Sequence, residues 1–358
     1  MNQETAQALF RDGAFLILQG VPEGTEFGID WNCWNTGPKF EGVKMIPPGV
    51  HFVFYSAVAE GSNSTAPRTG FFHIFNSREI LIKKWNNSNE ELVDYLPTDE
   101  ELCTIRDKLH DMDKNLGAYP YDTLKKWVAM SDNITSELVK KLSPEDGVVK
   151  SVLELLPEEV AVVGDENSRS LVTDKDGLPC MSANPASVIR FTPVAKHWYP
   201  DGASPAEVTK HSIDSSYILS TLLSTYQNYT DILGEMQFAF VCFILGQVFD
   251  AFEHWKKLVH VVCSCESELN AHLMLYKRLI SVLYHQITEI PPDFFVDIVT
   301  HNNFLVSTLT QLFSNIQQSC FDDELQKKAK QFRKYLTKKY RWKFNEEPED
   351  WAPVVVEM

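Results

Sequence analysis

From Phe238 to Leu245 the chain carries no charged or amide side chain, so no face of that stretch suits water. A helix that is apolar all round must be covered on every side by neighbours. The uncharged run is far shorter than the roughly 20 apolar residues a bilayer requires. The surrounding text, DILGEMQFAFVCFILGQVFDAFEHWKK from Asp231 to Lys257, therefore predicts the central helical stretch of a bundle. Apolar spacing after about residue 205 predicts helices over 205–226, 231–246, 247–263, 267–287, 292–300, 302–318 and 322–341. Ser204-Pro205-Ala206-Glu207 opens this half as a capping box, with Pro at the first helical position. Short connections predict roughly antiparallel neighbours, hence an all-α bundle or short helical superhelix.

The first half alternates differently. A short helix over 3–12 is expected to stop at Gly13, a residue that accepts left-handed geometry. β-branched and aromatic runs at 14–18, 25–30, 43–46, 51–56, 70–75 and 79–85 predict strands cut by Gly, Pro, Asn and Ser turns. Pro47-Pro48-Gly49 ends one of them, because two fixed φ angles and a missing donor forbid ladder continuation. That spacing suggests a small antiparallel sandwich or barrel. From Thr98, Leu102, Ile105, Leu109, Met112 and Leu116 recur as a one-sided helical stripe ended by Gly117. Short helices over 121–130 and 136–142 complete an α+β domain over 1–160. Residues 161–203 are poor in large apolar side chains and read as a flexible linker, or as a long loop partly docked as a strand near 188–191. An all-α domain over 204–343 and a tail over 344–358 follow.

At 358 residues two domains are expected, and 44% apolar with 23% charged residues is a folded composition. A net charge of −16 argues against nonspecific nucleic-acid binding by the whole surface. Seven cysteines without paired spacing do not suggest a disulfide framework, which favours a reducing compartment. The first residues lack the basic start and small-residue cleavage site of a signal peptide, and no membrane association is expected. No Walker A, G-x-G-x-x-G, H-E-x-x-H or G-x-S-x-G pattern occurs. His211, Ser212 and Asp214 crowd into a turn and a half, and His260, Cys263, Cys265 and His272 lack zinc-site spacing. The reading is of a protein that is not an enzyme, with no cofactor and no metal.

Three stretches suit partners instead. Residues 327–343 hold nine basic side chains and no acid, interleaved with Phe332, Tyr335, Tyr340 and Trp342. Lys334, Lys338, Lys339, Arg341 and Trp342 are its candidate contact residues, for RNA, an acidic protein surface or the chain's own tail. An ordinary terminal helix with Leu325, Ala329, Phe332 and Leu336 as its buried stripe accounts for the same text. The Gly/Pro-dense loop at 37–49, with Lys39, Phe40 and Lys44, reads as a rigid hairpin or as a shaped partner loop. Pro353, Val354, Val355, Val356 and Glu357 at the chain end are suited to adding a strand to another sheet's edge.

Long motifs along the chain resemble one family. They include GTEFGID (24–30), GPKF-x-GVKMIPPG (37–49), YPY-x-TLKKW (119–127) and ASPAE-x-TKHS-x-D (203–214). They continue through GE-x-QFAFVCF (234–243), AFEHWK (251–256), LYHQ (283–286), PDFFVDIV (292–299), LTKK-x-RW (336–342) and EPED-x-APVVVE (347–357). Together they resemble the AAR-two family of splicing factors, assembly factors of the U5 small nuclear ribonucleoprotein (snRNP). The resemblance implies a β-sandwich-like N-terminal domain, a VHS-like helical superhelix and a C-terminal strand tail. It also implies a non-enzymatic assembly chaperone of cytoplasm and nucleus. The partner it implies is the large U5 scaffold protein, bound at RNase-H-like and Jab/MPN-like domains with other U5 snRNP proteins nearby. Such binding keeps helicase and RNA from engaging early. The alternative is an RNA-binding module using the basic helix over 327–343.

Overall fold

The computed structural model describes residues 2–58, 65–161, 169–290 and 304–344. They fall into a β-rich unit, Met1–Trp127 with Thr135–Arg190 and Val241–Phe249, and a helical unit, Val128–Ile134 with Phe191–Phe240 and Asp250–Met358. The predicted helix over 292–300 and the valine tail lie outside the described residues.

The β-rich unit begins with α1 (Gln3–Asp12), followed by β1 (Ala14–Gln19), β2 (Glu26–Ile29), β3 (Asn32–Asn35), β4 (Gly42–Ile46) and β5 (Gly49–Ser56). β6 (Thr69–Phe75), β7 (Ile80–Asn86), β8 (Glu91–Asp94), α2 (Asp99–Met112) and β9 (Leu116–Ala118) come next. α3 (Leu124–Ser131), α4 (Ser136–Leu142) and β10 (Val149–Lys150) follow. One sheet runs β10-β6-β5-β2-β3, antiparallel throughout. The other runs β8-β7-β1-β4-β9 and is mixed, not antiparallel as expected: β1 pairs parallel with β7, and β4 with β9. Between β1 and β7 the chain alternates between the sheets, adding β2 and β3 to one, β4 to the other, then β5 and β6 to the first.

β1 is buried over its first five residues because both faces are covered. Ala14, Leu16 and Leu18 join Phe27, Ile29, Val53, Phe71 and Phe75 in a cluster drawn from both sheets. Phe15 and Ile17 face the other way, under Phe10 of α1 and Ile105, Leu109 and Met112 of α2. Gly42 (φ +132) is required where β4 crosses β1, since a Cβ there would sit 1.9 Å from the Leu16 carbonyl oxygen.

Two expectations change here. Gly13 does end α1, but in extended geometry (φ −76, ψ 161), not left-handed. Glycine is needed because a Cβ would lie 2.8 Å from the Met45 backbone. The stripe from Leu102 also breaks before Leu116. α2 stops at Met112, and residues 116–118 are taken up by the free edge of β4.

Short antiparallel pairings join the region read as a linker to residues at the end of the first domain: β11 (Leu155–Pro157) with β14 (Met181–Ala183), and β12 (Glu159–Ala161) with β13 (Arg169–Leu171). No strand forms at 188–191. Arg190 donates instead to the carbonyls of Ser143 and Lys140 at 2.7 Å each.

The second half of the chain forms α5 (Pro205–Ile213), α6 (Ser216–Leu223), α7 (Asp231–Ile244), α8 (Phe249–Cys263), α9 (Leu273–Glu289), α10 (Phe304–Ser319) and α11 (Asp323–Tyr340). The capping box at Ser204 and Glu207 is present. The single helix predicted over 205–226 is divided at Asp214. Its carboxylate accepts from the amides of Ser216 and Glu266 at 3.0 and 2.9 Å, which pins the break to the loop after α8. Ile232, Leu233, Met236, Phe238, Ala239 and Phe240 of α7 are fully buried, as the apolar run requires. Trp255 of α8 is also fully buried and donates from Nε1 to Gln286 of α9 at 2.9 Å. α11 packs on α9 and α10 with Leu325, Ala329, Phe332 and Leu336 inward.

Candidate functional site

α11 turns a second face outward. Lys327, Lys330, Lys334 and Lys338 are all exposed, and their spacing of three, four and four residues stacks them in one stripe, with exposed Arg341 just past the helix end. None of the five has an ion-pair partner among the described residues, whereas Lys277 of α9 is held by Asp322 and Glu324 at 3.0 and 2.6 Å. A shallow groove of about 390 Å³ runs along the stripe, lined by Asp323, Gln326, Lys327, Lys330, Gln331 and Lys334.

The aromatic side chains of the segment are placed differently. Phe332 and Trp342 are buried, and Tyr340 stacks on Trp342 with centroids 5.1 Å apart while donating to the Ile287 carbonyl at 2.8 Å. Lys339 lies off the stripe, over the rings of Tyr335 and Tyr340 at 5.6 and 5.1 Å. Its ammonium is held above the ordinary lysine value, the bonds to Tyr335 and Tyr340 outweighing the lowering by burial. The buried rings are thus not platforms for bases, and what the helix offers is positive charge at regular spacing. Arg341 caps α11 in left-handed geometry (φ 59), and the chain then doubles back. Phe344 is buried with its ring 5.1 Å from Phe313, and its carbonyl accepts from Arg333.

In the 37–49 loop, Lys39 is exposed, but its companions are engaged. Phe40 packs on Phe27 at 5.3 Å between centroids, and Lys44 donates to the carbonyl and carboxylate of Asp113 at 2.7 and 2.6 Å. Pro353, Val354, Val355, Val356 and Glu357 lie outside the described residues.

Two buried polar networks went unread in the sequence. In the β-rich unit, Asp30 accepts from His51 Nδ1 at 2.7 Å, from the Tyr119 hydroxyl at 2.6 Å and from the Phe52 amide at 3.0 Å. The other ring nitrogen of His51 faces the Pro47 carbonyl at 2.8 Å, so both ring positions are occupied. In the helical unit, Glu235 is fully buried and accepts from Thr192 twice, from Tyr226 and from His254, at 2.7–2.9 Å. Burial pulls its carboxyl up, but the bonds from His254 and Thr192 outweigh that and hold it below the ordinary value. Satisfied networks of this kind fix a core. The signal that could have found the one in the helical unit was the pair of polar residues, Glu235 and Gln237, inside the apolar text of α7. Gln237, the second, accepts from the Asn133 amide and donates to Asp132, both at 2.8 Å.

Of the crowded group near 212, the Ser212 hydroxyl donates to its own helix at Val208, 2.8 Å away, and His211 lies against Tyr217. Among the described residues, no three His, Cys, Asp or Glu side chains are placed to hold a metal.

Residues 191–345 match the family model of the AAR2 C-terminal repeat region, and residues 12–144 that of the AAR2 N-terminal domain. The whole chain aligns at 46% identity with the Protein AAR2 homolog of Mus musculus, covering 97% of it. Its counterpart from Homo sapiens is 45% identical over the same shares of both chains. The A1 cistron-splicing factor AAR2 of Saccharomyces cerevisiae is 20% identical over 76% of each chain. No enzyme's name occurs among these relatives.

Proposed function

The chain belongs to the AAR2 family, and from that premise we propose that it is a splicing factor acting as a non-enzymatic assembly chaperone of the U5 snRNP. The observation that carries the reading is the match of both AAR2 domains, in order, along one chain. In this reading the β-rich unit is a sandwich-like platform and the helical unit a VHS-like superhelix. The partner is the large U5 scaffold protein, engaged at its RNase-H-like and Jab/MPN-like domains, with other U5 proteins close by. Pro353, Val354, Val355, Val356 and Glu357 add a strand to a scaffold sheet edge, where main-chain bonds give affinity and alternate side chains give register. Lys39, the stripe residues Lys334 and Lys338, and Arg341 supply charged contacts around it. Occupying that surface delays helicase and RNA, and the work is divided between cytoplasm and nucleus.

The test is affinity capture of the tagged chain from cytoplasmic and nuclear extracts, with and without residues 345–358. Recovery of the U5 scaffold by the full chain, weakened by the deletion at an unchanged thermal melt, is the expected result. Capture without any spliceosomal component removes the reading, and equal capture by both forms removes the tail from it.

A second reading, direct RNA binding through α11, is favoured by the exposed stripe alone. Phosphate contacts make such affinity fall steeply with salt. With Phe332 and Trp342 buried, that binding would be insensitive to base identity. Absence of U5 RNA binding at low salt ends it.

A further inference from the structure

The cationic stripe of α11 and the path of the chain beyond it belong together. The hydrogen bond from Arg333 to the Phe344 carbonyl brings the outgoing chain back beside the middle of the helix, not past its end. Lys330, three residues before Arg333, lies on the adjoining surface of the same helix. The next six residues, Asn345, Glu346, Glu347, Pro348, Glu349 and Asp350, hold four acids and no base. From Lys334 back to Lys327 the helix covers about 10 Å, and six extended residues reach about 20 Å. Length, starting point and sign of charge all agree.

We infer that the acidic segment Glu346 to Asp350 docks in cis on the stripe formed by Lys327, Lys330, Lys334 and Lys338. Asp323, one turn ahead of Lys327, is the stripe's own acid and marks its limit. A tether this short holds the segment at an effective concentration on the order of millimolar, so individually weak surface pairs act together. The segment shields the stripe from other polyanions while it is docked. Because Val354 follows Asp350 after only three residues, a partner that draws the tail away uncovers the stripe. The inference goes beyond the proposed partner and stands whether or not the tail adds a strand to anything.

The test uses the full chain and no partner. Zero-length carbodiimide coupling joins only carboxylates and amines in direct contact. At about 0.05 M salt it is expected to link the four acids to Lys330, Lys334 or Lys338, and the links fade at about 0.5 M as the Debye length shrinks. The Glu346→Gln, Glu347→Gln, Glu349→Gln, Asp350→Asn chain is expected to elute from heparin at higher salt than the unaltered chain. Lys330→Glu with Lys334→Glu removes the links at an unchanged melt. Links from the acids to lysines elsewhere, or equal heparin elution of the two chains, overturn the inference. Scaffold capture is not involved, so this result and that of the U5 reading stay separable.

Discussion

The thiol of Cys33 donates to the carboxylate of Glu26 at 3.2 Å, across the β2–β3 ladder. Although the residue is exposed, partial burial of the sulfur and this bond push the thiol up to about 12. Since the thiolate is the reactive form, Cys33 is expected to resist alkylation at pH 8. Iodoacetamide followed by peptide mapping should label the exposed Cys103 well before Cys33, and Glu26→Gln should narrow the gap. Equal rates for the two thiols in the unaltered chain contradict this.

Removing Glu235 strands four donors, from three residues, in the helical core. Glu235→Ala is expected to cost about 3 kcal/mol, read as a fall in the denaturant midpoint. The pH dependence has a definite sign. The folded carboxyl is held below its unfolded value of about 4.3, so its contribution is complete above that value and disappears as pH falls through the folded one. The stability gap between the unaltered chain and Glu235→Gln should therefore shrink below about pH 4. A gap constant from pH 7 to pH 3 shows that the carboxylate charge contributes nothing.

Gly42 and Gly37 offer a paired comparison. Alanine at 42 meets the Leu16 carbonyl and keeps a left-handed φ, while alanine at 37 meets nothing within 4 Å. Gly42→Ala should destabilise by roughly 2 kcal/mol or more, and Gly37→Ala should stay within about 0.5 kcal/mol. Chemical denaturation of the two proteins side by side checks it.

Trp255→Ala is expected to cost about 3–5 kcal/mol, from the cavity and from the unpaired Gln286 together. Trp255→Phe keeps most of the volume and isolates the lost hydrogen bond, so it should fall nearer 1 kcal/mol. Equal losses for the two substitutions assign the whole effect to the hydrogen bond.

What could be read ahead of the structure was what local chemistry decides. The inward stripe Leu325, Ala329, Phe332 and Leu336 and the capping box at Ser204 follow from helical period and from orphan amides. The departures all involve partners distant in sequence. Leu116 continues the helical spacing, yet the unpaired edge of β4, more than 70 residues earlier, draws it into a sheet. Asp214 interrupts a good helical pattern because its acceptors are filled by the amide at 266. In the candidate surface, charge and spacing were legible, but the burial of Trp342 depends on how the chain folds back after Arg341.

The bond from Tyr119 to Asp30 makes the core of the β-rich unit depend on residues far apart in the sequence. Asp30 lies at the end of a strand made early, but the hydroxyl that completes its shell is translated 89 residues later. A chain cut short of Leu116 therefore lacks both the third donor to that carboxylate and the strand that covers the outer edge of β4.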